Sequence, residues 1–196
     1  MKKVFLMLLV CSFSVVSPAQ TVKPVQVTSS AKASVEKSVF GIQTGYLGIW
    51  VNNEARLSNS FALRSEIGFT AQIWNSSFEK AGYLLTPVIR LEPRWYYNLR
   101  KRKSRSKRID GNSGNFLSLQ TSFYPGGRAI SNYDNVNINP FLTVAILWGM
   151  RRDIGRHFNF ELGVGPEYAH NYPDRKGYGK SDNFGLAFLI RIGYRF

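Results

Sequence analysis

From Val39 to Phe196 the chain alternates apolar and polar residues with a period of two, as a strand does when its two faces meet different media. Seven runs stand out, residues 39–57, 61–73, 83–97, 115–124, 140–151, 157–170 and 184–196, and helical spacing fits none of them as well. In the second, Phe61, Leu63, Ile67, Phe69, Ala71 and Ile73 share one face, against Arg64, Glu66, Thr70 and Gln72. The last sets Phe184, Leu186, Phe188, Ile190, Ile192, Tyr194 and Phe196 against Gly185, Ala187, Arg191, Gly193 and Arg195. A soluble β-sandwich also alternates, but its strands average about five or six residues. Most of these runs are long enough to cross a bilayer, which takes about 9–11 tilted residues. Aromatic side chains gather towards the run ends (Trp74, Tyr83, Trp95, Tyr96, Tyr97, Trp148, Tyr168, Tyr194), as interfacial girdles do. The expected fold is all-β, an antiparallel up-and-down transmembrane β-barrel of eight strands.

Length and composition agree with one domain. The 196 residues include 14 Phe, 10 Tyr and 4 Trp, too many for a disordered chain. One cysteine excludes a disulfide scaffold, and two histidines without partnering cysteines exclude most zinc sites. After the N-terminal run no segment reaches the 18 apolar residues of a spanning helix. Residues 1–19 have two lysines, an apolar stretch from Val4 to Val16 and small residues at Ser17 and Ala19, the pattern of a secretory signal peptide cleaved before Gln20. Cleavage removes Cys11 and takes Lys2 and Lys3 from a net charge of +14, leaving +12. Residues 20–37 are polar and without pattern, and read as a flexible leader; the barrel is expected over 38–196. Export and lipid-length strands together point to a Gram-negative outer membrane, because hydrocarbon tolerates only helices and closed sheets.

The final stretch Phe188-Leu189-Ile190-Arg191-Ile192-Gly193-Tyr194-Arg195-Phe196 resembles the C-terminal assembly signal of outer-membrane β-barrel proteins, with Tyr194 and Phe196 as its closing aromatics. The stretches Leu91-Glu92-Pro93-Arg94-Trp95-Tyr96-Tyr97-Asn98-Leu99, Trp148-Gly149-Met150-Arg151-Arg152 and Asn159-Phe160-Glu161-Leu162-Gly163 resemble a family of small outer-membrane barrels, over about residues 38–196. The resemblance implies a fold and a location, with the barrel assembly machinery as a partner of the last strand. It brings no catalytic residue.

Strand count poses a problem. If residues 58–60 and 153–156 are short periplasmic turns, then 75–82, 125–139 and 171–183 are surface loops, and 98–114 lies on the periplasmic side with the C-terminus. Seven strands are then one short of an even barrel. Either residues 21–37 hide a strand or the 39–57 run contains a break. Pro87 and Pro93 cannot donate ladder hydrogen bonds, so a bulge or frayed pairing is expected near them.

The non-apolar face collects Glu54, Arg56, Arg64, Glu66, Arg90, Glu92, Arg94, Arg151, Glu161, Glu167, Arg191 and Arg195, and no lysine falls within the seven runs. Arginine's planar fork can share several carboxylates, and an eight-stranded barrel is just wide enough for side chains to fill. A lumenal plug of salt bridges is expected, with a proton or anion pathway as the competing reading. Arg100, Lys101, Arg102, Lys103, Arg105, Lys107 and Arg108 put seven positive charges in nine residues. Export argues against nucleic acid and leaves a solvated turn or a contact with anionic lipid head groups. His170, the only rim histidine, lies near Tyr168, Tyr172, Asp174 and, further on, Ser181 and Asp182, from which an enzyme site could be drawn, but the spacing matches no nucleophile motif. The glycines at 126–127 and 177–179 cradle no phosphate, and Asp134, Asp174 and Asp182 are too dispersed for calcium. No metal or cofactor is implied. The expectation is a non-enzymatic, monomeric outer-membrane barrel in contact with lipid, with a structural, adhesive or ligand-contact role through its loops. A narrow pore or an enzyme acting on lipid or peptide at the rim is the alternative.

Overall fold

The computed structural model describes residues 33–45, 48–76, 79–134, 136–173 and 180–196. The expected signal peptide, and the expected leader up to residue 32, lie outside the described residues. Eight long strands form the fold: β1 (Ser38–Gly45), β2 (Gly48–Arg56), β3 (Phe61–Ser76), β4 (Glu79–Trp95), β5 (Asn115–Tyr124), β6 (Phe141–Ile154), β7 (Phe158–Asn171) and β8 (Ser181–Arg195). Each pairs antiparallel with its sequence neighbours, and β1 pairs with β8 from Gly41↔Arg195 to Gly45↔Arg191, which closes an up-and-down barrel. The only α-helix among the described residues is the single short turn α1 (Leu99–Ser104).

The 39–57 run is therefore broken, which restores the even count. Gly45 and Gly48 pair across the break, and Thr44 Oγ1 donates to the Gly48 carbonyl at 2.8 Å. Both chain ends of the barrel lie at one end, here the lower, with residues 57–60, 96–114 and 155–157. Gly155 turns the last of these with φ +64°, a conformation costly for a residue with a Cβ. Pro93 interrupts the β4–β5 ladder, whose register runs from Ile89 to Leu91 and resumes at Arg94, while the β3 side stays paired through Leu63↔Pro93. Pro166 does the same to β6–β7, which loses its register between Val164 and Glu167. A proline removes one donor, so only one side of the strand suffers.

The barrel is inside out relative to a water-soluble protein. Phe69, Ile89 and Ile190 are 40%, 49% and 55% exposed, while Arg64, Glu92 and Arg191 are buried. An apolar plug closes the lower end, where Val35, Tyr96, Leu99 and Phe116 pack together with Ala33 and Ala62. Val35, fully buried, also donates its backbone N–H to the Asn59 carbonyl at 3.0 Å. Residues 33–37, read as the end of a flexible leader, are instead packed against the barrel. One apolar residue among polar ones leaves no periodicity to read.

Candidate functional site: a charged lumen beneath an open cavity

Because alternate residues point inward, each strand that bears a charge every second position delivers it to the barrel axis. Nine of the twelve expected lumen residues meet there, five arginines (64, 90, 94, 151, 191) and four glutamates (54, 66, 92, 161), all buried. Glu161 sits at the hub. Both its oxygens accept from Arg94, at 3.0 Å each, and its carboxylate lies 3.4 Å from Arg151, 3.7 Å from Arg191 and 3.8 Å from Arg64. Glu66 forms the upper node, 2.6 Å from Arg90, 2.7 Å from Arg64 and 3.3 Å from Arg191. Glu92 accepts from Arg94 at 2.9 Å and from the Ser118 hydroxyl at 2.7 Å.

Neutral side chains take up part of the remaining hydrogen-bonding capacity. Arg64 donates to Asn52 Oδ1 at 3.0 Å and to Gln43 Oε1 at 2.5 Å, and Gln43 in turn donates to Asn159 Oδ1 at 2.7 Å. Aromatic faces take up guanidinium planes. Arg94 lies 4.3 Å above the Phe116 ring, and Arg90 and Arg191 lie 4.9 and 5.4 Å from the Trp50 ring. Five arginines against four glutamates leave one excess positive charge in the lumen. At the lower rim Arg195 pairs with Glu36 at 3.1 Å and with Asp153 at 3.3 Å, which brings the total to six arginines and six carboxylates. The charges balance.

Three expected members stand apart. Arg56 is exposed at the lower end of β2, past the point where the wall encloses its side chain. Glu167 is half-buried on the wall of the upper cavity instead of in the network. Arg195 is half-buried and belongs to the lower-rim cluster. Conversely, sequence alternation cannot find Asn112, which lies on no strand. Gly111 and Asn112 take successive left-handed conformations (φ +58° and +63°), and Asn112 Nδ2 then donates to Glu54 at 2.6 Å. Its Oδ1 accepts the Glu36 backbone N–H at 2.7 Å, and Glu36 accepts the Gly111 N–H, so this loop and residues 33–37 seal the lumen from below.

The basic run is partly ordered. Residues 99–104 form α1, Leu99 anchors it in the apolar plug, and Arg102 turns back to donate to the Arg108 carbonyl at 2.8 Å. Arg108 pairs with Asp110 at 3.2 Å and also donates to the Gly155 carbonyl. Arg100, Lys101, Lys103, Arg105, Lys107 and Arg108 are exposed. At the opposite end Asp182 accepts from Tyr168 at 2.7 Å and lies 2.6 Å from His170 Nδ1, whereas the adjacent Ser181 hydroxyl takes a hydrogen bond from Asn171 at 3.0 Å. The strand pleat sends Ser181 and Asp182 to opposite faces, so His170 and Ser181 do not form a nucleophile–base pair. Tyr194 and Phe196, the expected assembly signal, lie on the outer surface at the lower end, where Phe196 meets Phe40 and Tyr194.

Above the network the lumen opens. A cavity of about 270 Å³ lies over Arg90 and Arg191, bordered by Trp50, Tyr124, Leu147 and Leu189. A second of about 610 Å³ continues towards the upper loops between Gln72, Thr86, Asn137 and Asn171, and the two share Thr70, Tyr124, Thr143 and Glu167. No family model, no curated protein and no solved structure matches the chain.

Proposed function

We propose that the chain is a small Gram-negative outer-membrane barrel, exported by its N-terminal signal, whose lumen is plugged by an arginine–glutamate network and whose upper loops carry a structural, adhesive or ligand-contact role. One observation supports this above all: buried guanidiniums inside a wall of exposed Phe, Ile, Leu and Val. Water would reverse that arrangement, since contiguous exposed apolar surface of this extent is foreign to soluble monomers. Hydrocarbon requires it, and a closed sheet leaves few backbone groups unpaired there. The last strand, ending in Tyr194 and Phe196, would serve the assembly machinery before folding. The surrounding lipid is the principal partner, and the barrel works as a monomer without a cofactor and without enzymatic activity.

The network and the plug beneath it favour a closed lumen over a pore. A narrow channel remains the competing reading, because the upper cavities reach down to Arg90 and Arg191. The test is purification from outer membranes, a heat-shift gel and planar-bilayer recording. A heat-modifiable band with no steady conductance is expected. Recovery only in a soluble fraction would overturn the membrane reading, and stable unit conductance would replace the plug with a pore.

A further inference from the structure

The barrel wall is incomplete in its upper half. The β1–β2 hairpin stops at Gly45 and Gly48, opposite Arg191 on one side and Thr70 on the other. Above that level β8 pairs with β7 alone over Ser181–Ile190, and residues 71–74 of β3 pair with β4 alone, among the described residues. An antiparallel strand turns the N–H and C=O of successive residues to alternate sides. Arg195 donates to the His157 carbonyl on the β7 side and Phe196 to the Phe40 carbonyl on the β1 side, and the β7–β8 register runs without a shift up to Ser181. Asp182, Phe184, Leu186 and Phe188 therefore aim their N–H and C=O at the opening, where they find no partner among the described residues. On the other lip residues 71 and 73 of β3 do the same, in phase with Phe61, which accepts from Leu57 on the β2 side.

Width, direction and chemistry together define what fits. With strands about 4.8 Å apart, the missing upper parts of β1 and β2 leave about 14 Å between the axes of β8 and β3, room for two strands. β8 descends and β3 ascends, so an antiparallel filling takes an even number, which is again two. Acyl chains would cover the apolar faces and leave the backbone groups of both lips unpaired, which hydrocarbon penalises. A second copy standing upright in the same membrane could offer its own β8 only in parallel and with its lumenal face turned to lipid. Phe184 and Phe188 are 86% and 73% exposed, against 40% for Phe69, a lipid-facing phenylalanine with a strand on each side. The outer face of the missing wall is thus apolar. Towards the lumen the β8 lip is small: a Cβ on Gly185 would meet nothing, and Ala187 borders the 270 Å³ cavity.

We propose that the opening receives a β-hairpin of another polypeptide, which enters from above and completes the wall by strand addition at both lips. Its turn rests on the Gly45–Gly48 tip. One arm descends beside β3 and the other returns beside β8, with apolar side chains towards lipid and small ones towards the lumen. This rests on the outer-membrane reading, so vesicle flotation and the heat-shift gel are run on the same sample. The probe is a synthetic hairpin with an Asn-Gly turn and a disulfide across its open end, Leu and Val on one face and Ala and Ser on the other. Fluorescence anisotropy of a dye at the open end should show saturable one-to-one binding to the barrel, above that to protein-free vesicles. Either arm alone should show none. Phe188→Pro deletes one donor from the open edge and leaves the β7 ladder intact, so it should weaken binding about tenfold, as loss of one hydrogen bond does. Lengthening both arms of the chain's own β1–β2 hairpin should abolish binding, because the opening is then filled in cis. If those variants do not fold, the comparison of hairpin with single arm decides alone. In floated, heat-modifiable protein, absence of saturable binding overturns the site, as does equal binding of a single arm or binding that both folded variants leave unchanged. A disulfide-linked dimer of Gly185→Cys that excludes the probe assigns the opening to a second copy and overturns it too. Protein that does not float refutes the membrane reading itself.

Discussion

Glu161 shows how much one side chain can carry. Four guanidiniums lie within 3.8 Å of its carboxylate, and it is fully buried. Replacing it by alanine leaves those arginines in a low-dielectric interior with a central partner gone, a change that costs about 3–5 kcal/mol for a buried pair. Urea unfolding of the refolded barrel in vesicles should show Glu161→Ala destabilised by about that amount, and the exposed Arg56→Ala unchanged within about 0.5 kcal/mol. Equal midpoints for the two variants would argue against the plug. Both residues obey the same alternation in the sequence. What separates them is depth, because Arg56 ends its strand at the rim while Glu161 lies three residues inside the lower end of its own, and depth is not written in a period of two.

At the level of elements, the lower seal depends on pieces that the strand pattern does not contain. Val35 packs with Tyr96, Leu99 and Phe116, and Asn112 ties Glu36 to Glu54. Val35→Asp would bury a carboxylate in an apolar cluster, at a cost of several kcal/mol unless it stays protonated. The expected outcome is a lowered urea midpoint and intermittent conductance in planar bilayers, with the eight strands still formed by circular dichroism. Gly149 supports the same seal from the wall, since a Cβ there would lie within 3 Å of the Phe116 ring, which holds Arg94 from below. Gly149→Val should therefore lower stability by about 1–3 kcal/mol through overpacking, read as a shift in the heat-modification temperature. The strand runs themselves were legible because alternation is local. The break at Gly45–Gly48 was legible only as one of two options, since the inward set passes from odd positions (Val39, Gly41, Gln43) to even ones (Trp50, Asn52, Glu54), but the apolar inward residues Val39 and Trp50 blur that change of phase.

For the whole molecule, charge is distributed by function of place. The lumen and its lower rim together balance their charges, so the excess of basic residues lies outside them, and six of those cations are exposed on the 99–108 segment. Beside an anionic surface, each such charge contributes about 1 kcal/mol and fades within a Debye length. Changing Arg100, Lys101, Lys103, Arg105, Lys107 and Arg108 to glutamine should weaken binding to anionic vesicles and remove its salt dependence, while binding to zwitterionic vesicles stays unchanged. Co-sedimentation at several ionic strengths would check this, and an unaltered salt slope would remove the lipid-contact role of the turn.

The period-two pattern by itself determined that the chain forms antiparallel strands with one greasy and one charged face, and hence which residues belong together. That follows from the pleat, which is a property of each strand alone. Which face became the interior, how deep each charge lies and where the wall stops short were decided only when the strands closed. Closure fixes register, tilt and hairpin height around the ring at once, and these depend on pairs such as Gly45↔Arg191 and Leu63↔Pro93 that are distant or ambiguous along the chain.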